Sequence, residues 1–238
     1  MTTIAANLEL LRERIQAVCL QAGRDPQTVR LLAVSKTFGP DAVLQAVAAG
    51  QTAFGENYIQ EAVDKMQTLA QLPGVPALEW HCIGPIQSNK TRLVAEHFQW
   101  AHTVDRLKIA QRLSEQRPAH LPPLQVCIQV NVEGGATKSG VAPAQALELA
   151  QAVARLPRLC LRGVMSIPDP AVDVQAQRAV FAQVRAVFDD LLGQGLALDT
   201  LSMGMSGDMD AAIVEGSTMV RVGSAIFGVR TRAAEPVA

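Results

Sequence analysis

Three short stretches of this chain carry residue types at spacings that can do chemistry. In Leu31-Leu32-Ala33-Val34-Ser35-Lys36, four apolar residues run straight into a hydroxyl and a lysine. That is the pattern of a short buried strand delivering one amine to the edge of a core. Burial disfavours an ammonium ion, so an amine placed there can act as a nucleophile toward an aldehyde and form a Schiff base. A lysine that leaves its strand and snorkels to water reads the same way in sequence. The other two stretches, Ser202-Met203-Gly204-Met205-Ser206-Gly207-Asp208 and Arg221-Val222-Gly223-Ser224-Ala225-Ile226-Phe227, each leave an apolar run with glycine and a hydroxyl. Backbone made approachable by glycine, free amides at a helix start expected near Ser206, and the hydroxyls of Ser206 and Ser224 together make a phosphate cradle. The same residues also fit two ordinary helix caps beside turn glycines.

These side chains need elements to position them. Ile4, Leu8, Leu11, Ile15 and Val18 recur at spacings of four and three, one face of an amphipathic helix that Gly23 closes. Strand patterns then fall at residues 31–36, 52–54, 79–83, 100–104, 125–130, 161–167, 200–203 and 218–222. Helical patterns lie between them at 40–50, 59–69, 90–98, 106–115, 143–156, 174–192 and 209–215. Strands separated throughout by helices imply a parallel sheet, and this number of them favours a closed (β/α)8 TIM barrel with an additional N-terminal helix over an open doubly wound sheet. The Rossmann alternative lacks its glycine fingerprint, since Ser35-Lys36-Thr37-Phe38-Gly39-Pro40 stands after the first strand. No repeat or linker breaks the pattern, so residues 1–230 are expected to form one domain and 231–238 a frayed tail.

A barrel of this type gathers function at the carboxyl ends of its strands, with phosphate sites favoured after strands seven and eight. Lys36, Asn57, Ser166, Ser206 and Arg221 all fall at or just beyond such ends. A Schiff-base lysine on the first strand and a cradle on the last two suggest pyridoxal 5'-phosphate, which has an aldehyde at one end and a phosphate at the other. Arg221 would then face the pyridine nitrogen. A guanidinium is always charged and only donates, so it would leave that nitrogen unprotonated and weaken the ring as an electron sink.

Composition removes other classes. A formal net charge of -1 and 4% aromatic residues give no electrostatic or stacking case for nucleic acid or an acidic membrane. Cys19, Cys82, Cys127 and Cys160 show neither zinc spacing nor a disulfide framework and read as small core residues in a reducing compartment. Histidines 81, 97, 102 and 120 likewise lack metal-ligand spacing, and no metal site is expected. Charged residues from Glu9 onward interrupt any signal-like run, and no run reaches membrane-spanning length, so a cytoplasmic location is expected. Gly204-Met205-Ser206-Gly207-Asp208 resembles a nucleophile elbow, but its second glycine comes one place early. His81, within Trp80-His81-Cys82-Ile83-Gly84, reads as a satisfied core residue rather than a general base.

Val34-Ser35-Lys36-Thr37, Phe54-Gly55-Glu56-Asn57-Tyr58-Ile59-Gln60-Glu61, Trp80 to Lys90, Leu201 to Ser206 and Val220 to Gly228 resemble, in order and across nearly the whole chain, the pyridoxal phosphate homeostasis protein family. The resemblance implies a single barrel like the N-terminal domain of alanine racemase (fold type III among pyridoxal phosphate proteins). It implies cofactor binding and vitamin B6 homeostasis with no established reaction. By position it makes Lys36 the Schiff-base lysine, lines the ring with Asn57, puts Arg221 at the ring nitrogen, and gives the phosphate to Ser206, Gly223 and Ser224. Lys138 matches a further lysine motif and is kept as a secondary position. Family members often carry threonine where Ser224 stands and a basic residue where Phe38 stands.

The competing reading is an amino-acid racemase. That chemistry needs acid/base groups on both faces of the substrate's α-carbon, in the alanine racemase family a lysine and a tyrosine from a second domain. The chain contains one tyrosine, Tyr58, and has no residues left for a second domain. An aldolase-like barrel would share the amine and the cradle but has no use for Arg221 at a pyridine nitrogen. The expectation is therefore a carrier that buffers pyridoxal phosphate or delivers it to apo-enzymes, with no catalytic residues. Without the racemase's second domain, monomer is the expected state.

Overall fold

The computed structural model describes residues 3–135 and 138–228. The apolar stripe near the N-terminus forms helix α1 (Ile4–Gln21), capped by the Thr3 hydroxyl on the Ala6 amide at 3.2 Å, with Leu8, Leu11, Ile15 and Val18 buried. Strand and helix then alternate: β1 (Arg30–Val34), α2 (Pro40–Ala48), β2 (Ala53–Glu56), α3 (Ile59–Ala70), β3 (Glu79–Cys82), α4 (Thr91–His97), β4 (Trp100–Val104) and α5 (Leu107–Gln116). The second half repeats the pattern with β5 (Leu124–Gln129), α6 (Pro143–Ala154), β6 (Leu159–Met165), α7 (Val174–Gly193), β7 (Thr200–Ser202), α8 (Met209–Val214), β8 (Met219–Val222) and a short α9 (Ser224–Phe227).

Each strand pairs in parallel with its sequence neighbours, and β8 returns to β1, closing the barrel with Leu32 opposite Arg221 and Ala33 opposite Val222. The expected TIM barrel with an N-terminal helix is what the chain forms. The tail expected at 231–238 lies outside the described residues. Strand alternation separates the interior into distinct regions. Outward-facing residues such as Ala33, Phe54, Trp80, Ile128 and Leu201 join the helices in the main core. Inward-facing Leu32, Val34, Ala53, Ile83 and Met219 form one lumen cluster, and Trp100, Cys127 and Met165 another. Polar inward residues, His81, His102, Ser202 and Arg221, occupy the space left in the lumen and are all buried.

All four cysteines are free thiols; Cys19, Cys82 and Cys127 are buried as expected, whereas Cys160 is only half-buried on β6. Burial pushes the Cys82 and Cys127 thiols up to about 12. Among the described residues no helix is long and apolar enough to cross a membrane. Among the same residues no cluster of three or more His, Cys, Asp or Glu side chains has metal-binding geometry.

Candidate functional site

The strand carrying the lysine stops at Val34; Ser35 points outward and Lys36 sits in the turn that follows, with Thr37 at a left-handed φ of 69°. That turn is held from the helical side. Ser35 Oγ donates to Glu56 Oε1 at 2.6 Å, and Lys65 Nζ on α3 donates to the same oxygen at 2.7 Å and to the Ser35 carbonyl at 3.0 Å. Glu61 completes the frame by accepting the Thr37 amide at 2.9 Å. Glu56 is fully buried, Lys65 is 4% exposed, and Glu56 Oε2 has no hydrogen-bond partner. Burial raises the Glu56 carboxyl above its usual range, and the Lys65 ammonium offsets only part of that rise.

Two glycines allow the close approaches that shape the mouth. A Cβ on Gly84, just past β3, would sit 2.4 Å from the Asn57 carbonyl, so only glycine lets the β3 exit pack against the Asn57 backbone. A Cβ on Gly223 would lie 3.1 Å from the Val34 carbonyl and 3.3 Å from Val34 Cβ, which seats the start of α9 against the end of β1. The Ser224 loop is thereby drawn toward the Lys36 turn.

Lys36, Asn57, Ser206, Arg221, Gly223 and Ser224 all line one cavity of about 690 Å³ at this mouth. Val34, Phe38, Ile83, Ile167 and Met205 supply its apolar wall, and Phe38 packs on Phe227 with ring centroids 5.1 Å apart. The Ser206 and Ser224 hydroxyls stand 3.3 Å apart, close enough to turn toward one shared anion. Gly207 beside them leaves its backbone open, with nothing within 4 Å of where a Cβ would be. Deeper in, Arg221 is 3% exposed, and its Nη1 donates to Ser202 Oγ and its Nη2 to the Ser166 carbonyl, each at 2.8 Å. Burial lowers Arg221 to about 10, which leaves it charged at neutral pH.

Some sequence expectations are corrected by this geometry. Ser206 is not a helix cap: α8 begins three residues later, after a turn in which the Asp208 carboxylate accepts the Met205 amide at 2.5 Å. Asp208 is the residue before α8, but its carboxylate is turned back to the Met205 amide, so neither side chain caps the helix. Ser166 turns its hydroxyl to the Val130 carbonyl at 3.0 Å and reaches the site only through its own carbonyl on Arg221. Lys138 is not among the lining residues; its Nζ contacts Glu133 at 2.5 Å and Asp169 at 2.9 Å, and those two carboxylates, outweighing partial desolvation, hold its pKa up. The Glu56–Lys65 pair was missed by sequence reasoning, although a lysine buried among Ala62, Val63 and Leu69 on α3 was a signal that it needed an anion inside.

The family model described as "Alanine racemase, N-terminal domain" matches residues 4–231. The chain is 60% identical over 230 residues to the pyridoxal phosphate homeostasis protein of Pseudomonas aeruginosa, with 97% of each chain covered. It belongs to that family. Among solved structures, family member PipY of Synechococcus elongatus, determined with pyridoxal phosphate bound, superposes with a TM-score of 0.83 at 37% identity, covering 95% of this chain and all of PipY. An alanine racemase of Clostridium difficile shares the fold alone: TM-score 0.69 at 16% identity, over 96% of this chain and 58% of the racemase. The sequence motifs that resemble this family and the barrel like that of alanine racemase therefore stand as read.

Proposed function

We propose that this protein binds pyridoxal 5'-phosphate in the mouth cavity and serves intracellular vitamin B6 homeostasis by buffering or delivering the cofactor. The observation that carries this reading is the common lining of one cavity by an amine, a buried guanidinium and a pair of facing hydroxyls. Such a set fits a ligand with an aldehyde, a basic ring nitrogen and a phosphate. Lys36 offers the point of covalent attachment. Ser206, Ser224 and the backbone at Gly207 and Gly223 hold the phosphate, Asn57 lines the ring, and Arg221 meets the ring nitrogen as a donor that cannot supply a full proton. The bound group would bring its usual capacity to stabilise carbanions, which a charged arginine at the nitrogen weakens.

Delivery without turnover is supported by what surrounds the lysine. Among the described residues lining the cavity there is no carboxylate, imidazole or phenol to act as the second acid/base group that racemisation requires. Tyr58, the chain's one tyrosine, is 51% exposed at the start of α3 and does not line the cavity. Relatives in this family are named as homeostasis proteins, which fits the same reading. A monomeric, cytoplasmic carrier that hands the cofactor to pyridoxal phosphate-dependent apo-enzymes completes the proposal.

The test is direct. The purified protein is mixed with pyridoxal phosphate, its visible spectrum recorded, and the adduct reduced with borohydride and mapped by mass spectrometry. A visible band and an adduct on Lys36, both lost in Lys36→Ala, are expected, followed by transfer to an apo-enzyme without exchange of alanine's α-hydrogen. Absence of the band sinks the cofactor reading; rapid exchange of that hydrogen would make the protein a racemase-like enzyme.

A further inference from the structure

Arg221 stands at one end of a hydrogen-bonded series that crosses the whole barrel lumen. Its Nη1 meets Ser202 Oγ on β7 at 2.8 Å; Ser202 Oγ lies 3.0 Å from His102 Nδ1 on β4; His102 Nε2 lies 2.9 Å from His81 Nδ1 on β3; and His81 Nε2 lies 2.6 Å from Glu79 Oε1 at the barrel floor. Arg30 on β1 holds the same Glu79 oxygen at 2.7 Å. Trp100 stacks on His81 with ring centroids 5.2 Å apart and planes 10° from parallel, which fixes that imidazole's plane.

With neutral imidazoles between them, the two ends set the direction of every bond in the series. A guanidinium only donates and a carboxylate only accepts. Glu79 therefore accepts a hydrogen bond from His81 Nε2–H, which leaves Nδ1 of a neutral His81 as an acceptor. His102 must then donate from Nε2 and accept at Nδ1, where the Ser202 hydroxyl donates to it while receiving Arg221. Read from the carboxylate end, with each imidazole neutral, the assignment is protonation of both rings on Nε2, and it leaves Ser202 Oγ an acceptor for Arg221. Burial supports neutral rings, lowering His81 to about 4 against the partial opposition of Glu79 and pushing His102 well below its usual value. Because arginine cannot accept a proton, the series passes orientation and not protons.

We propose that Glu79, His81, His102 and Ser202 are positioning residues for Arg221: a one-way chain of three neutral groups, anchored on the Glu79 carboxylate at the barrel floor, that fixes the rotation of the guanidinium at the base of the cavity. The second anchor, the Ser166 carbonyl on Nη2, completes the restraint. With both Nη atoms tied to protein, the plane presented to the cavity is set before any ligand arrives, and preorganised donors favour binding by avoiding the cost of ordering them. The consequence for a ring nitrogen rests on the pyridoxal phosphate reading; the chain itself does not.

The experiment uses the full-length protein with and without pyridoxal phosphate, comparing wild type with Ser202→Ala, which removes the link, and Ser202→Thr, which keeps it. Proton–nitrogen correlation spectra of the cofactor-free protein at neutral pH are expected to show His81 and His102 both as Nε2–H tautomers. Separate Arg221 Nη signals, the mark of restricted rotation, should merge in Ser202→Ala and return in Ser202→Thr. Pyridoxal phosphate affinity is expected to fall about tenfold in Ser202→Ala, with a shifted visible band, and to recover in Ser202→Thr. A proton on Nδ1 of either imidazole, or Arg221 signals unchanged in Ser202→Ala, overturns the chain; unchanged affinity and band in that variant overturn its positioning role. A wild-type protein that takes up no cofactor defeats the binding reading, and the spectra of the cofactor-free chain then decide the positioning proposal alone.

Discussion

Two basic side chains reach the same cavity on opposite kinds of support. Lys36 rests on a turn braced from outside the barrel by an ionic cluster, Lys65, Glu56 and Glu61, drawn from β2 and the adjoining helix α3. Arg221 rests on a series of neutral groups inside the barrel, drawn from β3, β4 and β7. The lysine's brace is local in sequence and charged; the arginine's is long-range and neutral up to its anchor on the Glu79 carboxylate. A buried ion pair is held together by strong attraction but carries a desolvation penalty that reappears in full when one partner is lost. A neutral series avoids that penalty and depends instead on every donor finding its acceptor. The lysine's seat is thus sensitive to charge, and the arginine's to geometry and to protons.

The largest expected effect breaks the lysine's side. Lys65→Met should destabilise the fold by about 3 kcal/mol, because it leaves Glu56 buried without its cation. Urea unfolding at neutral pH measures this, and adding Glu56→Gln to the same chain should restore most of the loss. A double variant no more stable than Lys65→Met would show that packing, not charge, supports the turn.

Acidification should then set the two supports apart. His81 has a folded value of about 4 against 6.5 for the free side chain, so the fold prefers its neutral form. The stability it contributes is complete above about 6.5 and is lost as pH falls toward about 4, with His102 acting in the same direction. The loss should be on the order of 2 kcal/mol for a buried imidazole shifted this far. Glu56 works with the opposite sign: its raised value favours the protonated form in the fold, so its contribution grows as pH falls and is lost as pH rises. Glu56→Gln should therefore deepen the net loss of stability on acidification. A flat stability profile between pH 6.5 and 4 in wild type would contradict neutral imidazoles in the lumen.

The smallest effect probes the rim of the lysine's seat. Glu61→Ala removes the acceptor of the Thr37 amide and should cost about 0.5–1 kcal/mol, since the site is partly exposed. Hydrogen exchange at Thr37 should quicken while exchange along β8 is unchanged. Equal acceleration at both would mean that the two supports are one cooperative unit.

Much of this was readable in sequence because a closed parallel barrel turns strand ends into neighbours. Lys36, Asn57 and Arg221 are far apart along the chain, yet each marks the exit of an apolar run, and the topology alone brings them to one mouth. The limits were equally physical. Whether Ser166 aims its hydroxyl or its carbonyl at the site depends on a single hydrogen bond to Val130, and whether Ser206 caps α8 depends on a start that the turn at Met205–Asp208 moves to Met209. The lumen series was harder still. His81, His102 and Ser202 look like isolated polar residues in separate strands, and only the register of the closed sheet places them at adjoining levels. The usable signal was that each stands at an inward position of a buried strand, so each needed a partner within the barrel.

The seam between β1 and β8 gives the cavity a place in time as well as in space. Lys36 follows the first strand made and Ser224 the last, and the close approach of Gly223 to Val34 brings them together. A growing chain displays the Lys36 side chain early but lacks the Gly223–Ser224 turn across the cavity until the last strand has been made. Under the proposed binding mode, the site exists only once β8 has closed on β1, so its assembly and the closure of the barrel are one event.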